Sequence, residues 1–149
     1  LGYACGPREL MTHIVKLHQY ALMCAPTTAQ YAAIEAMENG DADVEAMREE
    51  YDIRRRYIVD RLNGMGLHCF EPEGAFYVFP SIQPTGLSSE EFAQRLLMEK
   101  HVAVVPGTAF GACGEGFIRI SYCYSVKHIT EAMQRMEAFL NDCKPGGAQ

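Results

Sequence analysis

Apolar positions follow two different periods along this chain, and the change falls near Gly66. Before it the spacing is helical. Pro7, whose fixed φ suits a first helical residue, opens a helix to about Tyr20, with Leu10, Ile14, Leu17 and Ala21 on one face. Met11, Val15, His18 and Leu22 form a second stripe, which predicts a helix covered on two sides. Cys24-Ala25-Pro26 ends that pattern, and Thr27 with Gln30 has the form of a capping box for a second helix to about Met37. Asn39-Gly40 closes it. Asp41 or Asp43 then caps a long third helix to about Gly64, with Val44, Met47, Tyr51, Ile58, Leu62 and Met65 as a core stripe that Arg54 interrupts.

After Gly66 the segments shorten. Leu67 to Glu71 and Ala75 to Pro80 predict a hairpin across Pro72-Glu73-Gly74. Ser88 and Glu91 form a second capping box, opening a helix to about Lys100 with Phe92, Leu96 and Leu97 inward. A strand from Val102, a Pro-Gly turn, a glycine-rich loop through Gly107, Gly111, Gly114 and Gly116, and a strand from Phe117 to Tyr122 follow. A helix from about Ser125 to Cys143 carries Ile129, Ala132, Met133, Met136, Phe139 and Leu140, and the tail Lys144 to Gln149 is expected to fray. At the other end, Leu1 to Cys5 reads as a short strand. The fold class is α/β in an α+β two-layer form, a small sheet with helices packed on one face, preceded by the long helix.

With 149 residues, 48% hydrophobic and 21% charged, the chain is long enough for a sizeable core. A net charge of −6 argues against nucleic acid, which needs a positive face. The one basic cluster, Arg54-Arg55-Arg56, follows Glu50 and Asp52 at helical spacing and reads as a solvated helix face. No apolar run is long enough to span a bilayer, so no membrane partner is expected and a cytoplasmic location is the default. The six cysteines and five histidines are scattered, without a C-x-x-C pair, which predicts reduced thiols and no metal.

Arg119 changes the picture. Between Ile118 and Ile120 on a strand, a fixed charge with five donors must face water, a buried carboxylate or an anionic ligand. Its fork matches a carboxylate bidentately.

Four segments carry a resemblance. Val104-Val105-Pro106-Gly107-Thr108-Ala109-Phe110-Gly111 with Gly116-Phe117-Ile118-Arg119-Ile120-Ser121 resembles the C-terminal signature of the class I/II aminotransferases, pyridoxal-phosphate enzymes of fold type I. Leu1-Gly2-Tyr3 is similar to the strand after their cofactor-lysine loop, and Ala25 to Gln30 to their segment near the partner subunit's active site. Gly74 to Pro80 resembles their small-domain hairpin.

The resemblance implies that Arg119 binds the substrate's α-carboxylate, that residues 1–37 end the large domain and that residues 38–149 form the small C-terminal domain. It also implies amino-acid and 2-oxo-acid substrates and a homodimer. In the family the Schiff-base lysine precedes the L-G-Y strand, so it is expected upstream of Leu1, and none of Lys16, Lys100, Lys127 and Lys144 has its context. Pyridoxal phosphate is therefore expected in the full-length protein and not on this segment, which by itself is expected to be inactive. Alternatives that remain open are a C–S lyase or a carboxylate-gripping synthase of the same fold type, and a free-standing amino-acid-binding regulatory domain.

Overall fold

The structure is a computed structural model, describing residues 1–143; the fraying expected of Lys144 to Gln149 lies outside them. The chain forms two compact units, Leu1–Met47 and Arg48–Gln149, each taken by itself below.

The first unit contains α1 (Arg8–Ala21), α2 (Thr27–Asn39) and the start of α3 (Asp41–Gly64). Neither α1 nor α2 buries a residue, so the two-sided cover expected for α1 is absent, with Leu10 60% and Leu17 74% exposed. Two helices and a fragment of a third are too little chain to enclose a core. The strand expected at Leu1 to Cys5 is not formed either, and Tyr3 is almost fully exposed. No neighbouring strand satisfies its backbone, and a lone strand has no ladder to hold it. The first capping box also fails. Pro26 takes the N-cap position and Thr27 becomes the first helical residue, while the Gln30 side-chain amide donates to the Ala25 carbonyl at 2.8 Å.

The second unit has a true core. It comprises the rest of α3, β1 (Tyr77–Val78), α4 (Ser89–Lys100), β2 (Val105–Pro106), β3 (Ile118–Ser121) and α5 (Val126–Asp142). The three strands form an antiparallel sheet in the order β1-β3-β2, with Tyr77 opposite Ser121, Val78 opposite Ile120, and Val105 opposite Arg119. Alternation along a strand gives the sheet two different faces. Val78, Ile118 and Ile120 face the helices, where they meet Ile58 and Leu62 of α3, Phe92 and Leu96 of α4, and Met133, Met136 and Phe139 of α5. Phe92 meets Phe139 edge to face at 5.2 Å between centroids. Fully burying a side chain of this size stabilises by about 1.5–3 kcal/mol.

Four expectations need correction here. The hairpin from Leu67 to Pro80 is not made, because the Asn63 side chain takes both the N–H and the carbonyl of Cys69, at 3.0 Å each. Those are the groups a ladder would have used, and β1 pairs with β3 instead. The stripe on α3 is core only at its C-terminal end, since Val44 and Met47 are exposed, and Leu97 of α4 is 46% exposed. The arginine cluster is not a simple solvated face. Arg56 is exposed, but Arg54 and Arg55 are largely covered, Arg54 donating to the Cys123 carbonyl at 3.0 Å and Arg55 bridging Asp52 and Glu71. A hydrogen bond from Arg55 holds the Asp52 carboxyl below the usual carboxylate range.

The second capping box is half made. Ser88 Oγ accepts from the Glu91 N–H at 3.2 Å, while the next residue, Ser89, does more. Fully buried, its hydroxyl accepts from the N–H groups of Gly116 at 2.9 Å and Phe117 at 3.2 Å. This ties the glycine-rich loop to the start of α4. Ser89→Ala leaves the buried Gly116 N–H unpaired, while the Phe117 N–H keeps the Gly114 carbonyl at 3.2 Å, so it should lower stability by about 1–3 kcal/mol in urea denaturation, against almost no loss for Ser88→Thr.

Candidate functional site: an arginine on the open face of the sheet

The face of the sheet turned away from the core carries Tyr77, Phe79, Phe117, Arg119 and Ser121, by strict alternation with Val78, Ile118 and Ile120. Arg119 is half-buried there. Its guanidinium carbon lies 4.4 Å from the centroid of the Tyr77 ring and 4.7 Å from that of Phe110. Among the described residues it makes no hydrogen bond and no ion pair, and none of its nitrogens is a buried unpaired donor. Of the three environments the sequence allowed, a buried carboxylate within this segment is excluded. The fork is open.

Tyr77 reaches Arg119 through strand pairing. It sits opposite Ser121, two residues along from Arg119, which is the diagonal position from which an aromatic ring reaches a long side chain. Phe110 arrives through the loop. Residues Gly107–Phe110 and Ala112–Gly114 form two short 3₁₀ turns that cross at Gly107 and Gly114. A Cβ on Gly107 would lie 2.0 Å from the Gly114 carbonyl oxygen, and one on Gly114 would lie 2.1 Å from that of Gly107. Only glycine permits this crossing. The Gly107 N–H donates to the Phe117 carbonyl at 2.9 Å, which continues the β2–β3 ladder into the loop.

Two rows of rings extend from Arg119. Phe110 meets Phe79 at 5.9 Å, and Phe79 stacks on Phe117 at 5.7 Å. Tyr77 meets Phe76 at 4.7 Å, and Phe76 stacks on Tyr51 of α3 at 6.1 Å. The Tyr122 hydroxyl donates to the Ala75 carbonyl at 2.8 Å, and burial pushes its phenol up. A cleft of about 490 Å³ lies elsewhere in this unit, lined by Val102, Ile120, Tyr124, His128, Ile129 and Arg135 among others, and Arg119 is not in its walls.

Lys100 is ion-paired with Asp142 at 2.6 Å, Lys16 and Lys127 are exposed, and Lys144 lies outside the described residues. Among the described residues no group of three or more histidines, cysteines or acids could hold a metal ion, and no helix is long and apolar enough to cross a membrane. All six cysteines are free. The sequence singled out Arg119 but neither Phe110, Tyr77 nor Ser89 as functional or site-shaping. An aromatic residue inside a glycine-rich turn, three residues past a Pro-Gly, was the available signal for Phe110.

Known proteins resemble this chain over most of its length. A protein of Bacillus subtilis named as an aminotransferase is 52% identical over 95% of this chain and 36% of its own length. The aspartate aminotransferase of Pyrococcus abyssi is 48% identical over 97% of this chain and 38% of its own. The solved aromatic aminotransferase of Pyrococcus horikoshii matches with a TM-score of 0.86 at 46% identity, over 91% of this chain and 37% of that structure. The chain thus spans a little over a third of the length of these relatives. The family model for aminotransferase class I and II matches residues 1–136, and the chain belongs to that family.

Proposed function

We propose that this chain is the C-terminal part of an aminotransferase that moves an amino group between an amino acid and a 2-oxo acid, with Arg119 as the anchor for the substrate carboxylate. The observation that carries the reading is a half-buried guanidinium with an open fork on the sheet face, in a chain of this family. Both substrates of such a reaction bear a carboxylate on the carbon that gains or loses nitrogen. One anchor therefore serves both directions. Two N–H groups of Arg119 donate to the two carboxylate oxygens, which neutralises the charge and fixes the distance and orientation of the reacting carbon.

Family membership implies pyridoxal phosphate in the whole protein, where it would serve as the electron sink. In this reading its Schiff-base lysine is not among the described residues, which the Lys100–Asp142 ion pair and the exposure of Lys16 and Lys127 support. The role assigned to this segment is substrate binding. In the same reading residues 1–37 close the large domain and residues 38–149 form the small one, in a homodimer. The uncovered apolar side chains of Leu10, Ile14, Leu17 and Ile34 support a first segment that is finished by further protein surface.

The test uses the whole protein with an amino acid and a 2-oxo acid of a different carbon skeleton. Appearance of the second amino acid, in equal amount to the loss of the first, is the expected result. Loss of the first amino acid with release of ammonia or a thiol, and no second amino acid, would make the protein a lyase.

A further inference from the structure

We propose that Phe110 and Tyr77 are positioning residues that hold the Arg119 guanidinium by its faces, so that its donors stay free for the carboxylate. This rests on the anchor role of Arg119 and says how the anchor is kept ready. An arginine side chain is long and flexible, and proteins usually fix one with a carboxylate. A carboxylate here would occupy the fork and cancel the charge that the substrate must find. Aromatic rings avoid that conflict. They attract the cation through the π face, while the N–H groups point outward in the guanidinium plane.

The geometry fits this division of labour. The guanidinium carbon is 4.4 Å from one ring centroid and 4.7 Å from the other, and Arg119 has no hydrogen bond or ion pair among the described residues. Each ring is itself backed. Phe79 and Phe117 stand behind Phe110, and Phe76 with Tyr51 of α3 stands behind Tyr77. Phe110 is 50% exposed, so its burial alone gives little reason for a large apolar ring at the tip of a turn. Contact with Arg119 gives one. The crossing at Gly107 and Gly114 fixes the turn that carries it.

Phe110 is the better residue to change, because Tyr77 belongs to the ladder with β3. In the whole protein, kcat and KM are measured for an amino acid shown to be a substrate and for the amine that lacks its carboxylate. Phe110→Leu should raise KM for the amino acid about three- to thirtyfold, with kcat little changed and the amine unaffected. Phe110→Tyr should restore the wild-type value. In an Arg119→Ala background, Phe110→Leu should add nothing. An acid-selective loss in Arg119→Ala together with a silent Phe110→Leu would overturn the clamp alone. Arg119→Ala harming acid and amine equally would overturn the anchor and the clamp with it, and so would rule out both statements. A Phe110→Leu effect of the same size on acid and amine, or one that persists without Arg119, would mark Phe110 as packing only.

Discussion

Gly107→Ala is expected to lower the stability of the second unit by about 3 kcal/mol or more, a large share of the roughly 5–15 kcal/mol by which a domain is stable. The added Cβ would lie 2.0 Å from the Gly114 carbonyl oxygen and 2.8 Å from that of Phe117. Both obstacles are backbone. The Phe117 carbonyl already accepts from the Gly107 N–H, and Phe117 and Gly116 are pinned by the buried Ser89 hydroxyl, so the loop cannot step aside cheaply. Relief would require breaking the ladder beyond Pro106 or lifting the loop from α4. Either displaces Phe110. Gly74→Ala is the control, since a Cβ there meets nothing within 4 Å, and it should stay within about 0.5 kcal/mol of the parent. Urea midpoints for the two variants decide the matter; equal midpoints would contradict a tight crossing at Gly107 and Gly114.

Local signals carried much of the fold. The bounds of α3, α4 and α5 follow from spacing, and Ser88 accepts from the Glu91 N–H as the sequence pattern suggests, whereas Asp41 and Asp43, the expected caps of α3, lie inside its first turn. Where long-range pairing decided the outcome, local reading failed. The segment Leu67 to Glu71 has strand-like alternation, but Asn63, six residues before Cys69, captured the backbone groups that a hairpin needed. Nothing in the composition of that segment announces a competing side-chain amide. The apolar stripes of α1 are regular, yet regularity shows only that a face wants cover, not that this segment provides it.

The candidate site divides the same way. Arg119 was legible because a fixed charge between two isoleucines conflicts with its surroundings. Ser89 was hidden because a serine beside an N-cap looks like surface, while its two donors come from residues more than twenty-five positions later. Tyr77 and Phe110 reach Arg119 only through the β1–β3 register and the Gly107–Gly114 crossing, neither of which spacing specifies.

The central claim is that Arg119 binds a carboxylate, and Arg119→Lys in the whole protein tests it. Lysine keeps the charge but loses the planar fork and much of its contact with the two rings, so the change is not conservative. A hydrogen bond to a charged group contributes roughly 1.5–3 kcal/mol, and losing part of a bidentate pair implies about a ten- to hundredfold or larger fall in kcat/KM for amino acids. The decisive measurement is kcat/KM for one amino acid and for its matching amine, in wild type and in Arg119→Lys. A large loss for the acid with a much smaller loss for the amine is the predicted result, because the amine never engaged the fork. Equal losses, or unchanged kinetics with the acid, would contradict it and leave Arg119 as a strand residue packed between two rings.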